Sequence, residues 1–472
     1  MSRVLMVSSE AAPLAKTGGL ADVVGSLPAA LQMCGDEAAV VLPRYGSIDL
    51  KGARRVYDNV PVFLGPARYD TVIYQVSEKV PYFLVDCPPL FERKGFYGDN
   101  GRDYPDNHIR FAVLARAALA VSRFLFRTDV LHCHDWQAGL VPAYLRTVFA
   151  TDPTFLGMKV LFTIHNLGYQ GLFPKTALAQ IGLDSSVFRP EGMEFFGQVS
   201  LIKGGIAYAD ALNTVSPTYA REIQTPEYGF GLDGALRARS ADLTGILNGA
   251  DYGEWSPEID PWIPARYSAD DLSGKAVCKL HLLREFGLPD EAAAQPLAGV
   301  VSRFTRQKGT DLIAETASEM LEEGLNLVAL GTGEPEYEDF FRQIAAKHPG
   351  RIAVRVGFDN ALAHRIEAGS DLFLMPSRYE PCGLNQIFSL RYGTVPVVRA
   401  VGGLDDTIED GTGFKFAEYS GEALLGSVRA AVRAYRDQDG WRTMMRRGMQ
   451  EDFSWKVSAA EYSRLYRRLQ EG

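Results

Sequence analysis

The sequence predicts an α/β protein made of two doubly wound sheets joined by a hinge. Short apolar strands alternate with amphipathic helical stretches along the chain, the grammar of parallel βαβ units. The alternation runs twice, with a fresh series starting at Leu297. Between the series, residues 248–264 carry Asn248-Gly249-Ala250-Asp251 and three prolines, which reads as a hinge.

In the first series, strands are expected at residues 4–7, 38–42, 82–85, 130–132, 160–163 and 211–214. In the second they are expected at 297–302, 325–330, 352–356, 372–375 and 395–398. Each run is followed by a Gly-rich or polar loop and then a helical pattern. The last stretch, residues 455–470, is basic and amphipathic and should pack on a domain. The expected division is an N-terminal domain at 1–245, a hinge at 246–265, a second domain at 266–455 and a closing helix at 456–472. A chain of 472 residues fits two or three cores of roughly 100–200 residues each.

Composition narrows the function. Hydrophobic content of 46% and charged content of 23% are ordinary for a globular chain. No apolar run reaches the roughly 18 residues that span a bilayer, and the most apolar helical candidate, 111–126, is broken by Arg116 and Arg123. Met1 leads straight into a strand-like run with no leader pattern, so a cytoplasmic location and no membrane partner are expected. Five scattered cysteines without a CxxC pair indicate neither a disulfide framework nor a zinc knuckle. A formal charge of −9 argues against nucleic acid as partner. An anionic ligand would have to be held locally, by a few placed Lys and Arg. Oligomeric state leaves no mark in the sequence.

In doubly wound sheets ligands bind beyond the C-terminal ends of strands, so the post-strand loops are the candidates. The first, residues 8–20, brings Lys16, Gly18 and Gly19 to the start of a helical pattern. Free helix N–H groups, close backbone approach and one positive charge suit a diphosphate. A plain Gly-containing turn with a solvated Lys fits equally well. The second loop, His132-Cys133-His134-Asp135-Trp136, suggests zinc at first sight. Adjacent strand residues point to opposite faces and no second ligand cluster follows, so no metal is expected. Asp135 reads as a carboxylate for sugar hydroxyls or as a helix N-cap. The third loop offers His165 and Asn166 to a sugar, although a lone His is more often structural.

The second series is richer. Arg303 and Lys308 share one post-strand loop and can clamp a leaving diphosphate. Residues 377–385 then set Glu380, a Gly turn and a helix start together. Charged loops are usually solvated surface, but two of them after strands of one sheet favour a ligand.

These blocks resemble the glycogen and starch synthase family of retaining glucosyltransferases. KTGGL (Lys16 to Leu20), GRDYPDNHIRF from Gly101, HCHDW from His132, TIHN from Thr163, NGAD from Asn248, SRFTRQKG from Ser302 and EPCGL from Glu380 follow in the family's order, and the resemblance runs from residue 3 to about 460. It implies the GT-B fold, two Rossmann-like domains facing across a cleft, with a last helix that crosses back to the first. It implies a donor, ADP-glucose, and an acceptor, the non-reducing end of an α-1,4-glucan such as glycogen, with no cofactor and no metal. By motif, Lys16, Gly18 and Gly19 would meet the donor diphosphate and sugar, and Arg303 and Lys308 would neutralise the departing diphosphate. Glu380 and the N–H groups of Cys382, Gly383 and Leu384 would hold the glucosyl hydroxyls. Asp135, His165, Asn166 and Asn248 would line the sugar and acceptor pocket, with Tyr97 close by.

Two positions depart from wider patterns. Residue 379 is Tyr where the family commonly has Phe, and Phe388 stands where many other retaining GT-B transferases carry a second Glu. The latter favours this family over those relatives. The competing readings are another GT-B transferase using UDP-glucose or a small acceptor, a glycan phosphorylase, and a Rossmann oxidoreductase. The last lacks GxGxxG and the ribose-binding acid that should follow it. A non-catalytic glycan-binding protein is a further alternative, opposed by the presence of Lys16, Arg303, Lys308 and Glu380.

Overall fold

The structure, a computed structural model, describes residues 1–77, 79–99 and 101–471, so Gly472 of the expected closing helix lies outside the described residues. The chain divides into two compact units. The first is built from Met1–Val215, Ala220–Gly249 and the chain from Trp455 onward, and the second from Ser216–Tyr219 and Ala250–Ser454.

Among the described residues the main sheet of the first unit has nine strands. They are β1 (Arg3–Val7), β2 (Glu37–Pro43), β3 (Arg54–Leu64), β4 (Ala67–Val76) and β5 (Tyr82–Asp86), then β6 (Val130–His134), β7 (Lys159–Ile164), β8 (Ala211–Thr214) and β9 (Leu243–Gly245). Their order is β9-β8-β7-β6-β1-β2-β5-β4-β3. Val4 to Val7 are fully buried, as a parallel strand covered on both faces should be. The helix expected at 111–126 spans Asn107–Phe124. Inside this unit Arg110 is wholly buried, with its guanidinium donating to the Leu90 and Phe96 carbonyls and to Asn107.

The sheet is not parallel throughout, as the alternation predicted. β3 and β4 form an antiparallel hairpin that pairs with β5. Only every second residue near its end, Val60, Val62 and Leu64, is buried, so it lacks the continuous apolar run of the central strands. Gly65, at φ +57°, makes its tight turn.

The second unit holds β10 (Leu297–Val301), β11 (Asn326–Gly331), β12 (Ile352–Val356), β13 (Leu372–Met375), β14 (Val395–Arg399) and β15 (Phe414–Phe416), ordered β12-β11-β10-β13-β14-β15 and all parallel. Neighbouring residues of β10 enter different cores. Ala298 and Val300 pack with Leu312, Leu424 and Val428, while Leu297 packs with Leu282, Ile366 and Phe373. Both faces are therefore covered by helices, the defining condition of a doubly wound sheet.

Of the residues expected as a hinge, Trp255 packs within the second unit. Trp255 stacks on His364, with centroids 3.7 Å apart, and on Phe388, at 4.1 Å. Phe388 is thus packed against an indole. Ser216–Tyr219 also belong to the second unit, because the Ser216 and Thr218 hydroxyls and the Thr218 amide donate to Asp406.

The last helix, Trp455–Glu471, packs on helix Gly19–Met33, and Ser463 donates to the Asp36 carboxylate at 2.5 Å. The chain re-enters the first unit through a tight contact. A Cβ placed on Gly249 would lie 2.6 Å from the Trp455 Cα. Gly249→Ala should therefore lower the stability of the full chain by about 2 kcal/mol or more, read as a fall in denaturation midpoint.

Candidate active site

In each unit the strand order singles out candidate loops before any side chain is considered. In the first sheet the order reverses between β1 and β6, and in the second between β10 and β13. Ligands of doubly wound sheets sit at such switch points. The KTGGL and HCHDW loops leave the C-terminal ends of β1 and β6. The loops carrying Lys308 and Glu380 leave those of β10 and β13.

In the first unit the KTGGL loop is organised by Glu10, which is 3% exposed. Its carboxylate accepts from the Thr17 amide at 2.5 Å, from the Thr17 hydroxyl at 2.6 Å and from the Tyr97 hydroxyl. Ser9 bonds the same phenol oxygen at 2.8 Å. Tyr97 is thereby tied to the loop that precedes helix Gly19–Met33. Lys16 is turned outward, about half exposed, with its ammonium on Asp22 at 2.6 Å. A Cβ on Gly18 or Gly19 would meet no protein atom within 4 Å, and the Gly18 φ of −164° is open to any residue. Nothing inside the unit requires glycine at either position.

Asp135 does not cap its own helical turn. It sits at φ +56°, a left-handed conformation that Asp tolerates better than most residues, and its Oδ1 accepts the His165 amide at 2.7 Å. Burial pushes its carboxyl up to about 7, against the pull of the His165 and Asn166 amides, with the Glu10 charge adding to the rise. His165 Nε2 bonds His134 Nδ1 at 3.0 Å. Burial drags His165 down to about 3, His132 likewise with His165 adding to it, and His134 well below its ordinary value. The three imidazoles are neutral at neutral pH. His132 and His134 lie on one face of β6 with ring centroids 4.1 Å apart. Among the described residues no group of three or more His, Cys, Asp or Glu is arranged to hold a metal ion.

Trp136 closes the floor of this region, edge-on to Phe111 at 5.0 Å and 6.4 Å from Tyr97. Asn166 Oδ1 accepts the Gly168 amide, so this side chain braces its own loop. Asn248 is buried, and its Oδ1 has no partner among the described residues.

In the second unit Lys308 Nζ meets Glu380 Oε2 at 2.6 Å, with side-chain exposures of 20% and 7%. Ser377 donates to the same oxygen at 3.0 Å. The Arg378 amide donates to the Gln307 carbonyl, joining the two loops, and Arg303 donates to the Gln307 side chain at 3.1 Å. Gly309, at φ +73°, lets its loop press on β13's exit, since a Cβ there would lie 2.0 Å from the Pro376 carbonyl. Gly402 and Gly403 do the same beneath the other loop, against the Glu380 and Cys382 carbonyls. Cys382 is buried, and Gly383, at φ +74°, turns the chain through Leu384 into helix Asn385–Arg391.

Residues 3–238 match the starch synthase catalytic domain, and residues 289–444 match glycosyl transferases group 1. The glycogen synthase of Anaeromyxobacter dehalogenans strain 2CP-C is 54% identical over 99% of both chains. That of Koribacter versatilis is 50% identical over 99% of this chain and 98% of its own.

The chain belongs to the glycogen and starch synthase family.

As a glycogen and starch synthase family member it has the GT-B fold, two Rossmann-like α/β domains. The catalytic domain of starch synthase IV from Arabidopsis thaliana, bound to ADP and acarbose, matches it with a TM-score of 0.92 and 33% identity over the whole of both chains. Sucrose-phosphate synthase from Thermosynechococcus elongatus, at 19% identity and a TM-score of 0.62 over 99% of both chains, shares the fold.

Sequence reasoning passed over Glu10, Ser377 and the Gly402-Gly403 pair, all of which hold the synthase loops in shape. Glu10 directly follows Ser8-Ser9 at the end of β1, and its burial and its partners emerge only in the fold. Asp135 supplies a pH test. Its folded pKa lies above the unfolded carboxyl value of about 3.9, so the stability tied to its proton is whole below about pH 4 and is lost as pH rises through about 7. Asn cannot ionise, and it tolerates the same backbone. The stability of Asp135→Asn relative to wild type should therefore climb between about pH 4 and 7 and level off beyond, as measured by urea denaturation.

Proposed function

We propose that the protein is an ADP-glucose-dependent glycogen synthase, which transfers glucose to the non-reducing end of an α-1,4-glucan with retention of configuration. The observation that carries this reading is the match along the whole of both chains to a starch synthase catalytic domain bound to ADP and acarbose. The site chemistry supports it. Transfer from a nucleoside diphosphate sugar builds negative charge on the leaving oxygens and positive character on the sugar. Arg303 and Lys308 answer the first, and fixed cations in a partly dry loop do so better than water can. Glu380, held by Ser377 and Lys308, has an oxygen edge suited to glucosyl hydroxyls. The N–H groups of Cys382, Gly383 and Leu384 line the same turn.

Lys16, Gly18 and Gly19 serve the donor diphosphate from the first unit. Their openness supports this role, since the space an added Cβ would take is not filled by protein. Asp135, His165, Asn166, Asn248 and Tyr97 line the sugar and acceptor pocket. His165, being neutral, acts as a hydrogen-bonding group for a sugar hydroxyl. Retention follows from same-face attack by the acceptor hydroxyl, whose proton passes to the leaving phosphate. We place the chain in the cytoplasm on its likeness to glycogen synthases; among its described residues no helix is long and apolar enough to cross a membrane.

Label transfer into glycogen from radiolabelled ADP-glucose and UDP-glucose, run in parallel, tests the reading. Incorporation chiefly from ADP-glucose is expected. Incorporation from UDP-glucose alone would overturn the donor, and none from either would overturn the activity. Lys308→Ala should lower turnover on the order of 10²-fold while glucan affinity stays within about twofold. Matching losses in both would remove Lys308 from the chemical step.

A further inference from the structure

Beneath the sugar-side loops of the first unit, a buried hydrogen-bond chain runs to the last helix, and its proton positions can be counted. The Asn213 amide nitrogen donates to the Thr214 and Thr244 carbonyls, at 3.1 and 2.9 Å, so Asn213 Oδ1 is an acceptor. Thr163 spends its single hydroxyl proton on that oxygen at 3.0 Å. His132 Nε2, 2.6 Å from the Thr163 oxygen, must then be the donor. His132 Nδ1 is left as a bare acceptor, filled by the Tyr466 hydroxyl at 2.8 Å. Tyr462, one turn earlier on the same helix, donates to Asn213 Oδ1 at 2.9 Å. His132, Thr163, Asn213, Tyr462 and Tyr466 are all fully buried.

This chain touches the site through one ring. His132 packs against His134 in a tilted pair, centroids 4.1 Å apart and planes at 36°, and His134 holds His165 through Nδ1. His134 Nε2 has no partner among the described residues. The His134 ring is therefore kept in place by the tilted ring of His132 and the nitrogen of His165. Without the Tyr466 hydroxyl, His132 would carry a buried, unpaired acceptor, which disfavours its present place. A shift of His132 reaches His165 in two contacts.

We propose that Tyr466, supported by Tyr462, is a positioning residue for His165. The C-terminal helix sets the orientation of the sugar-side histidine through His132 and His134, and so completes the site from the far end of the chain. This rests on the pocket role given to His165 above.

The test uses the full chain with Tyr466→Phe, His165→Ala and the double variant, together with ring ¹⁵N NMR of the histidines. Tyr466→Phe removes one oxygen and keeps the ring. It should lower kcat about five- to tenfold with KM for ADP-glucose within about twofold, and it should cause no further loss in the His165→Ala background. The wild-type His132 should show a protonated Nε2 and a bare Nδ1, and the His165 signals should move in Tyr466→Phe. A wild-type kcat in Tyr466→Phe would overturn the proposal. So would an equal loss in the His165→Ala background, or unmoved His165 signals. If wild type transfers no glucose from ADP-glucose, the proposed function fails and the NMR comparison alone judges the wiring. If Tyr466→Phe does not fold, Thr163→Val cuts the same chain at His132 Nε2, and the same movement of His165 is required of it.

Discussion

A buried carboxylate is stable only when donors fill its oxygens, and this constraint shapes the site loops of both units. Glu10 gathers Thr17 and Tyr97 and thereby gives the KTGGL loop its course. Asp135 takes amides from the neighbouring strand exit and so holds the HCHDW and TIHN loops together. Glu380 takes Lys308 and Ser377 and ties the two switch-point loops of the second sheet. In each case the group that orders the protein is also one suited to a polar ligand. Within each unit the parallel strands supply the setting, because they deliver that unit's loops to the C-terminal edge of its own sheet, next to the point where its strand order reverses.

The glycines divide by what they serve. Gly309, Gly402 and Gly403 are demanded by the fold, since a side chain at each would strike a neighbouring carbonyl. Gly18 and Gly19 are not, since a side chain there would meet no protein.

Much of this was legible in the sequence, for physical reasons. The central strands announce themselves because burial on both faces leaves continuous apolar runs, as at Val4 to Val7 and Leu372 to Met375. The β3–β4 hairpin was missed because it is buried on one side only. The motif loops fall where post-strand reasoning puts them, and resemblance named their residues. Neither could say what those residues hold. Lys308 and Glu380 are 72 positions apart, and their ion pair follows from strand order rather than spacing. Glu10 was silent because its partners come from a helix start and from a loop 87 positions on. Asp135 left two roles open, and only its left-handed backbone and its bond to His165 exclude the cap.

The first unit is discontinuous, interrupted at Gly249 and resumed at Trp455. During synthesis on the ribosome its β strands emerge early, yet its closing helix is translated only after all of residues 250–454. Domains made in this way generally fold in order of emergence. Here the order cannot be completed, since His132 and Asn213 wait for hydroxyls encoded at Tyr466 and Tyr462. The nascent first unit therefore lacks its closing helix while the second is made, and a chain cut short in its last turns would keep every motif of the family and lose the hydroxyls of Tyr462 and Tyr466.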